Sequence, residues 1–348
     1  MSINISRFIN RETAEFTVEV LTPMFLGGAN GDAELRAAPL KNAVRYWWRI
    51  TQGELTHKKM LEKEQKLFGG VTGKATRSLV DIVVTGSVRT GNKNKIASIG
   101  KKVNPEANNK NVPLSTYLGM GPVDFNGIYS KTRILPGENF ALSVFYPKET
   151  RDMLIGALSL FAEFGSLGAR SRNGWGSFNL LAEDNNVLLP RKILFENYGE
   201  EVSEIFKVGK KYPFKLGKSN DQPLLWEIGM DNTWEGAMKL AGESYMDLRQ
   251  QVLPFPKEKP NGVQRRHILG YPVTKHKVET WEKNGKRKSG RMPSQLRIIV
   301  RKTGKQYNSY FFHLPHKISK PWDSSLGSEL SVWQKIHNYL DENFERTT

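Results

Sequence analysis

The residues best suited to chemistry lie in a glycine-rich segment, Gly165–Gly176. Glycines let the backbone adopt positive φ angles and approach a ligand closely, while backbone N–H groups and arginines donate hydrogen bonds to phosphate or ribose. A tryptophan in the segment can stack on a base. The segment is neither a P-loop nor a dinucleotide fingerprint, because it lacks Gly-Lys-Ser/Thr and leaves a helix to enter a strand. A flexible turn without a ligand is the alternative. The predicted contact residues are Gly165, Gly168, Arg170, Ser171, Arg172, Asn173, Gly174, Trp175 and Gly176.

A basic stripe on a predicted amphipathic helix is the second candidate. Lys41, Arg45 and Arg49 are spaced by four residues, so they share one helix face, and Trp48 lies at the margin of that face. Such a stripe suits a phosphate backbone. An ordinary solvated helix face is the equally weighted alternative, because charge on an outer face is common.

A third candidate is the segment 257–305, which holds 15 basic residues and three acidic ones. Tyr271, His276 and Trp281 lie among these charges. Basic residues mixed with aromatic ones are typical of a groove that follows a nucleic-acid strand and stacks its bases. A soluble basic loop is the alternative. The residues assigned to nucleic-acid binding in this segment are Arg265, Arg266, Arg287 and Arg291.

Two weaker motifs predict little. The segment 69–76 resembles a fragment of a Walker A motif, but Ala75 replaces the hydroxyl that binds Mg²⁺. His313 and His316 flank Pro315, which prevents the i, i+4 helical geometry of a metal site. A nucleotide-binding enzyme that uses the Lys74 region therefore stays open as a minor alternative, to be separated by testing ATP against single-stranded RNA.

Hydrophobic periodicity places the first two candidates on a βαββαβ order of elements. Apolar residues alternate in the strands and recur every three or four positions in the helices. The polar stretch Arg89–Asn111 interrupts the order between the second and third strands and predicts a mobile insertion, which extends over about 87–130. The predicted elements are the strand Glu15–Leu21, a helix from Leu40 to Thr51, the strands Leu79–Val84 and Phe140–Tyr146, a helix from Met153 to Phe161, and the strand Ser177–Leu181.

The second half of the chain is predicted to be a degenerate α+β unit. Its elements are a strand Leu224–Ile228, a helix from Trp234 to Leu248, a hairpin of Leu296–Arg301 with Tyr307–Leu314, and a helix from Leu330 to Phe344. The predicted fold class is thus α+β, with tandem ferredoxin-like (RRM-like) domains at 1–182 and 183–348 and inserted basic loops.

Composition points to a polyanionic partner. The 348 residues include 52 Lys and Arg and 35 Asp and Glu, which gives a net charge of +17. A charge of this size indicates which molecules the protein associates with, but it does not indicate the fold. The chain contains no cysteine, which excludes thiolate zinc sites and cysteine nucleophiles and is compatible with a reducing compartment. No apolar run reaches the 18 or so residues that span a bilayer. We expect a cytoplasmic protein without a membrane partner.

Three motifs together resemble a known family. Leu21–Ala29 reads L-T-P-M-F-L-G-G-A, Arg45–Arg49 reads R-Y-W-W-R, and both precede the glycine-rich segment. This combination is similar to the RAMP superfamily of CRISPR-associated RNA-binding proteins, and most specifically to the subunit-one family of Cmr (type III-B) RNA-guided effector complexes. The strong match covers roughly the first 180 residues.

The resemblance implies two ferredoxin-like domains, no cofactor, and partners that comprise guide RNA near its 3′ part, target single-stranded RNA and other RAMP subunits of the complex. It also implies that Gly27, Gly28 and the basic helix border the RNA path, with Arg36 in the same motif. The expected role is non-catalytic RNA binding in antiviral defence. Cleavage in the family is attributed to an aspartate in the loop after the first strand of another subunit. Asp32 occupies the corresponding loop here, so a metal-dependent RAMP endoribonuclease stays open as the alternative.

Overall fold

The structure is a computed structural model that describes residues 10–53, 55–71, 75–97, 99–100, 102–104, 111–183, 188–207, 215–254, 263–271, 278–283, 286–287, 291–318 and 329–347. Its contacts divide the chain into two compact units. The first unit comprises Met1–Lys93, Lys131–Ser171 and Trp175–Tyr198. The second comprises Asn94–Ser130, Arg172–Gly174 and Gly199–Thr348.

The secondary structure mixes helices with short and long strands. The helices are α1 (Ala37–Ile50), α2 (His57–Phe68), α3 (Leu114–Gly119), α4 (Arg151–Phe164), α5 (Arg191–Tyr198), α6 (Val202–Ile205), α7 (Trp234–Gln251) and α8 (Glu329–Asn343). The strands are β1 (Arg11–Val20), β2 (Asp81–Thr85), β3 (Thr90–Gly91), β4 (Lys102–Val103), β5 (Val112–Pro113), β6 (Arg133–Ile134), β7 (Asn139–Pro147), β8 (Phe178–Ala182), β9 (Gly199–Glu201), β10 (Leu216–Ser219), β11 (Gln222–Pro223), β12 (Leu225–Asp231), β13 (Glu282–Lys283), β14 (Lys286–Arg287), β15 (Leu296–Thr303), β16 (Gln306–His313) and β17 (Glu345–Arg346).

The first unit is built on a four-stranded sheet of order β2-β7-β1-β8, in which neighbouring strands run antiparallel. Phe16, Val18 and Val20 of β1 are buried, and the residues between them are more accessible, as expected for a strand with one covered face. Helices α1 and α4 pack together, with the rings of Trp47 and Phe164 6.1 Å apart. The apolar faces of these two helices cover the buried side of the sheet.

The main elements of the first unit follow the predicted order of β1, α1, β2, β7, α4 and β8. Helix α2 is an addition that the sequence analysis does not predict, and it lies between α1 and β2 in the chain. Thr56 caps it by accepting a hydrogen bond from the Lys59 backbone N–H. Helix α2 packs against α1 and brings an acidic side chain to the predicted basic stripe.

The second unit repeats the same strand arrangement with different residues. Its main sheet has the order β15-β16-β12-β17. Numbered by their order along the chain, both four-stranded sheets read 2-3-1-4, with a helix after the first strand and another before the fourth. Helix α7 packs on β12, β15 and β16, and α8 packs on α7 and β17. The prediction of an α+β protein is confirmed.

The insertion predicted near 87–130 contains short strands and a helix, and the mobility of the polar stretch Arg89–Asn111 stays a prediction. Residues Asn94–Ser130 belong to the second unit, and they include the paired strands β4 and β5 and helix α3, which packs on α7. Leu114 and Leu118 of α3, which follow the polar stretch in the chain, are completely buried. Residues 98, 101 and 105–110 of the stretch lie outside the described residues.

The predicted domain division between residues 182 and 183 stays a prediction. In the structure, α5 packs on α4 and residues through Tyr198 group with the first unit. Within the described part of the chain, no helix is both long enough and apolar enough to cross a membrane.

Candidate nucleic-acid interface

The glycine-rich segment folds back on itself after α4. The Leu167 N–H donates to the Gly176 carbonyl oxygen at 2.9 Å, and the Ser166 Oγ donates to the Ser171 carbonyl oxygen at 2.6 Å. Gly176 has a φ of +66°, and a Cβ atom there would collide with the Leu167 carbonyl oxygen. Glycine is therefore required at this position by backbone packing, whatever the loop binds.

The same segment is joined to the loop that follows β1. The Ala169 N–H donates to the Phe25 carbonyl oxygen at 3.1 Å, and the Gly176 N–H donates to the Pro23 carbonyl oxygen at 3.0 Å. At Gly168, where φ is +87°, a Cβ atom would lie 2.6 Å from the Phe25 oxygen. Two of the three motifs that carry the family resemblance, Leu21–Ala29 and the glycine-rich segment, thus form one site in the first unit, the loop pair.

Trp175 cannot stack on a base in this fold, which corrects the prediction. Its side chain is fully buried, and its ring lies 5.3 Å from that of Phe25. Trp48 of α1 is buried as well, with its ring 5.6 Å from that of Phe68 on α2. Both indoles are core residues that hold loops or helices together, because an aromatic ring buries a large apolar area when it can.

The solvent-facing part of the loop pair is glycine backbone with one arginine beside it. Gly27, Gly168 and Ala169 are exposed, and Arg170 is half-buried. Arg170 has a φ of +60°, a conformation that costs a residue with a side chain about 1–3 kcal/mol. The fold holds this arginine in a strained conformation at the exposed end of the glycine-rich turn.

The next residues of the segment belong to the second unit and have structural partners there. Nη1 of Arg172 donates to the Ser294 carbonyl oxygen at 3.1 Å, and Nδ2 of Asn173 donates to the Leu118 carbonyl oxygen at 2.8 Å. The Ile298 N–H donates to the Arg172 carbonyl oxygen at 2.9 Å, which extends the edge of β15. Gly174 is buried against Met238 and Ile298. Arg172, Asn173 and Gly174 are therefore at least partly structural.

The loop Gly27–Arg36 forms a small hydrogen-bonded hairpin. The Gly28 N–H donates to the Asp32 carbonyl oxygen at 2.6 Å, and Nη2 of Arg36 donates to the Gly27 carbonyl oxygen at 2.5 Å. The Glu34 carboxylate lies 3.7 Å from the Arg36 guanidinium. Arg36 thus stabilises the hairpin with a solvent-accessible side chain, while Gly27 stays exposed.

Asp32 is exposed and takes part in local contacts. Its carboxylate accepts a hydrogen bond from Thr132 Oγ1 at 3.2 Å and lies 3.4 Å from the Lys93 ammonium. The Thr132 hydroxyl also accepts from the Ala33 N–H at 2.6 Å. Among the described residues, no group of three or more His, Asp or Glu side chains is placed to hold a metal ion.

The basic stripe on α1 has partners on neighbouring elements of the first unit, and its role in phosphate binding stays a prediction. Oε1 of Glu64 on α2 accepts hydrogen bonds from Nε of Arg45 at 2.7 Å and from Nε of Arg49 at 2.5 Å. Lys41 donates to Ser78 Oγ at 2.7 Å, and burial lowers its pKa, with the Asp81 carboxylate acting against that shift. All three cations face neighbouring elements of the first unit and hold them in place.

Glu64 is completely buried but remains charged. Burial raises the pKa of its carboxyl, and the hydrogen bonds and positive charges of Arg45 and Arg49 outweigh burial, so the net pKa lies below the ordinary value. A buried carboxylate without such partners would be costly. Sequence analysis missed this pair because α2 itself was not predicted.

In the segment 257–305, some of the residues predicted to bind nucleic acid are exposed and others are buried. Arg265 and Arg291 are exposed, whereas Arg266 is 4% exposed. Tyr271 and Trp281 are buried, with their rings 5.1 Å apart, so they serve the core and not base stacking. The side chain of Arg287, residue His276 and the Lys74 region lie outside the described residues.

Two surfaces were missed by sequence analysis. Helix α2 exposes lysines at positions 58, 59, 63 and 66, and the loop before Ser130 exposes 63% of Phe125. The lysines are spaced as a helix face, so a capped helix prediction over His57–Phe68 would have found them. Nothing in the sequence around Phe125 signals its exposure.

One comparison, with models of protein families, agrees with the motif analysis. Residues 17–179 match the sequence model of the RAMP superfamily, which confirms the predicted resemblance. Among curated proteins, none matches the sequence.

Solved structures of low sequence identity resemble the chain. Cmr1 from Pyrococcus furiosus, in its apo form, has a TM-score of 0.43 and 19% identity over 94% of this chain and 97% of that chain. A chain of the type III-B Cmr-beta complex bound to cognate target RNA has a TM-score of 0.48 and 12% identity over 94% of this chain and 99% of that chain. A chain of a type IV-B CRISPR complex has a TM-score of 0.32 and 13% identity over 52% of this chain and 95% of that chain.

Proposed function

We propose that this chain, a member of the RAMP superfamily through residues 17–179, is a non-catalytic RNA-binding subunit of a type III-B CRISPR (Cmr) effector ribonucleoprotein. It binds guide RNA near its 3′ part and helps to capture target RNA. The loop pair is the observation that carries this proposal. Its two motifs are joined by backbone hydrogen bonds, and they present exposed glycine backbone beside Arg170.

The geometry of the loop pair suits a sugar-phosphate backbone. Exposed glycines leave no side chain between the protein backbone and a strand, and an arginine donates up to five hydrogen bonds to phosphate. The net charge of +17 favours a polyanion throughout. The equal strand orders of the two sheets support ferredoxin-like folds for both units, as the family resemblance implies.

A non-catalytic role is favoured by the contacts of Asp32. Its carboxylate accepts a hydrogen bond from Thr132 and lies beside the Lys93 ammonium. These contacts hold the hairpin against the chain after residue 131. The endoribonuclease alternative requires that this carboxylate leave its partners and activate a nucleophile or bind a cation.

RNA binding is tested by titrating the full chain with a labelled single-stranded RNA at several salt concentrations. The logarithm of the binding constant should fall with log salt by about 0.7 per phosphate contacted, so five contacts cost about a hundredfold between 50 and 200 mM. Unlabelled single-stranded RNA should compete better than duplex DNA, because 2′-OH groups and unstacked bases are absent from the duplex surface. A flat salt response, or equal competition, contradicts the proposal.

A further inference from the structure

Helix α2 turns a lysine face toward solvent, and we propose that this face, Lys59, Lys63 and Lys66 with Lys58 beside it, binds the phosphate backbone of single-stranded RNA. The inference rests on the proposed function and assigns part of the RNA path to a helix that carries neither family motif. All four lysines are exposed.

The rotation of α2 is set by its buried side. Met60, Glu64, Leu67 and Phe68 are buried, and Glu64 is tied to Arg45 and Arg49 of α1 by hydrogen bonds of 2.7 and 2.5 Å. With 100° between successive residues, positions 59, 63 and 66 then lie within about 60° of one another on one flank of the helix, beside the buried face. The ion pairs of Glu64 with the α1 arginines therefore also set which side of α2 exposes its lysines.

The lysines form a row along the helix. At a rise of 1.5 Å per residue, Lys59 and Lys63 are about 6 Å apart along the axis, and Lys66 extends the row to about 10 Å. Such a row can follow successive phosphates of an extended strand. Within the described part of the chain, no salt bridge occupies the ammonium groups of these lysines, and Glu62 is the one acidic residue on the exposed side of α2.

The chemistry of the face favours a nucleic acid over a protein. The exposed residues of α2 are His57, Lys58, Lys59, Glu62, Lys63 and Lys66, so the face contains no exposed apolar or aromatic side chain. Protein interfaces are depleted of lysine and are centred on apolar, aromatic or arginine anchors. Lysine acts as a strongly hydrated point charge, which serves phosphate contact without base recognition. The face therefore contributes affinity and not sequence specificity.

The test replaces Lys59, Lys63 and Lys66 by glutamine in the full chain. A matched control replaces Lys148, Lys192 and Lys335, which are also exposed, and removes the same total charge elsewhere. The α2 variant should bind single-stranded RNA about ten- to a hundredfold more weakly than the control near 0.1 M salt, and its slope of log K against log salt should be smaller by about 2. Both variants should keep the melting temperature of the wild type, because they alter exposed residues only.

A footprint locates the contact directly. Acetylation of lysines in the presence of a short single-stranded RNA should protect Lys59, Lys63 and Lys66 and leave Lys192 reactive. If the wild type binds RNA but the α2 variant behaves like the control, the lysine face is wrong while the proposed function stands. If the wild type binds no single-stranded RNA, the proposed function itself fails, and the inference with it. If the α2 variant loses binding to an acidic peptide such as polyglutamate but not to RNA, the face is a protein-docking surface and the inference is overturned.

Discussion

Nδ1 of His313 lies 2.9 Å from Nε2 of His337 in the core of the second unit, and both rings are almost completely buried. One ring donates and the other accepts, so this contact requires neither ring to be charged. Burial lowers the pKa of His337 to about 3, with the Arg346 charge adding to the effect and Asp341 opposing it. Burial, and then the neighbouring His337, hold the pKa of His313 well below its ordinary value.

This pair predicts loss of stability on mild acidification. Below pH 6.5 the unfolded chain takes up protons on these histidines while the folded chain does not, so the free energy of unfolding should fall as the pH falls. Between pH 7 and 5 the expected loss is about 2 kcal/mol for each histidine, measured from urea denaturation. Replacing His337 by Gln should reduce the loss between pH 7 and 5 by about 2 kcal/mol, which is the share of that histidine. A wild type whose free energy of unfolding is independent of pH contradicts the prediction.

Removal of the Glu64 carboxylate should destabilise the first unit. Glu64→Ala leaves Arg45 and Arg49 beside a cavity without their common acceptor. Because both arginine side chains keep about a third of their exposure, solvent screening reduces the cost to about 2–3 kcal/mol. Glu62→Ala on the exposed side of α2 is the matched control and should change the free energy of unfolding by less than about 0.5 kcal/mol. Equal effects in urea denaturation would exclude a structural role for the ion pair.

The hydrogen bonds of Glu64 with Arg45 and Arg49 show where sequence analysis of this chain succeeds and where it fails. The strands and helices around β1, α1, β7 and α4 are predictable because their apolar residues repeat with a regular period. Helix α2 is not predicted because its buried face contains Glu64 at a position where an apolar residue is expected. Without α2, the α1 arginines have no visible partner and are interpreted as a ligand surface.

Burial of aromatic residues is equally hidden from sequence analysis. Trp175, Tyr271 and Trp281 lie among glycines and basic residues in the chain, a composition typical of base stacking. All three are core residues in the structure. Contacts between distant segments decide this outcome, as for Trp175 with Phe25, and no local pattern encodes them. The loop pair itself was predictable only as two separate motifs.

Substitution of Gly176 should show how much the packing of the loop pair contributes to stability. Gly176→Ala places a methyl group against the Leu167 carbonyl oxygen at a φ of +66°, so it should lower the free energy of unfolding by about 1–3 kcal/mol or more. Gly27→Ala is the control, because no atom lies within 4 Å of a Cβ added there. Thermal melts of the two variants compare them directly. An unchanged melt for Gly176→Ala would contradict the observed loop geometry.

Arg170 should matter for RNA and little for folding. Arg170→Gly removes the guanidinium and relieves the positive φ of +60°, a gain that offsets the extra chain entropy of glycine. The free energy of unfolding should therefore change by less than about 1 kcal/mol, while the affinity for single-stranded RNA falls several-fold. A variant that melts early and binds normally once folded would show that Arg170 has a structural role and that the RNA path lies elsewhere.

Asp32 provides the test of the non-catalytic role. Cleavage of a phosphodiester requires a positioned nucleophile and stabilisation of the developing charge by a metal ion or by an acid and a base. Asp32 instead bonds Thr132 and faces the Lys93 ammonium at 3.4 Å. We therefore expect the isolated chain to bind single-stranded RNA without cutting it in Mg²⁺ or Mn²⁺. In a reconstituted effector complex, Asp32→Ala should leave the pattern of target cuts unchanged and weaken target capture at most several-fold, through loosening of the hairpin.

The decisive measurement is a cleavage ladder of end-labelled target RNA, made with wild-type and Asp32→Ala complexes at equal occupancy. Thr132→Val is the matched control, because it removes the hydroxyl that Asp32 and the Ala33 N–H share but keeps the carboxylate. Equal weakening of capture in both variants, with every band retained, assigns Asp32 to hairpin structure. If one specific band disappears with Asp32→Ala and persists with Thr132→Val, the carboxylate itself takes part in cleavage and the endoribonuclease alternative replaces the non-catalytic one.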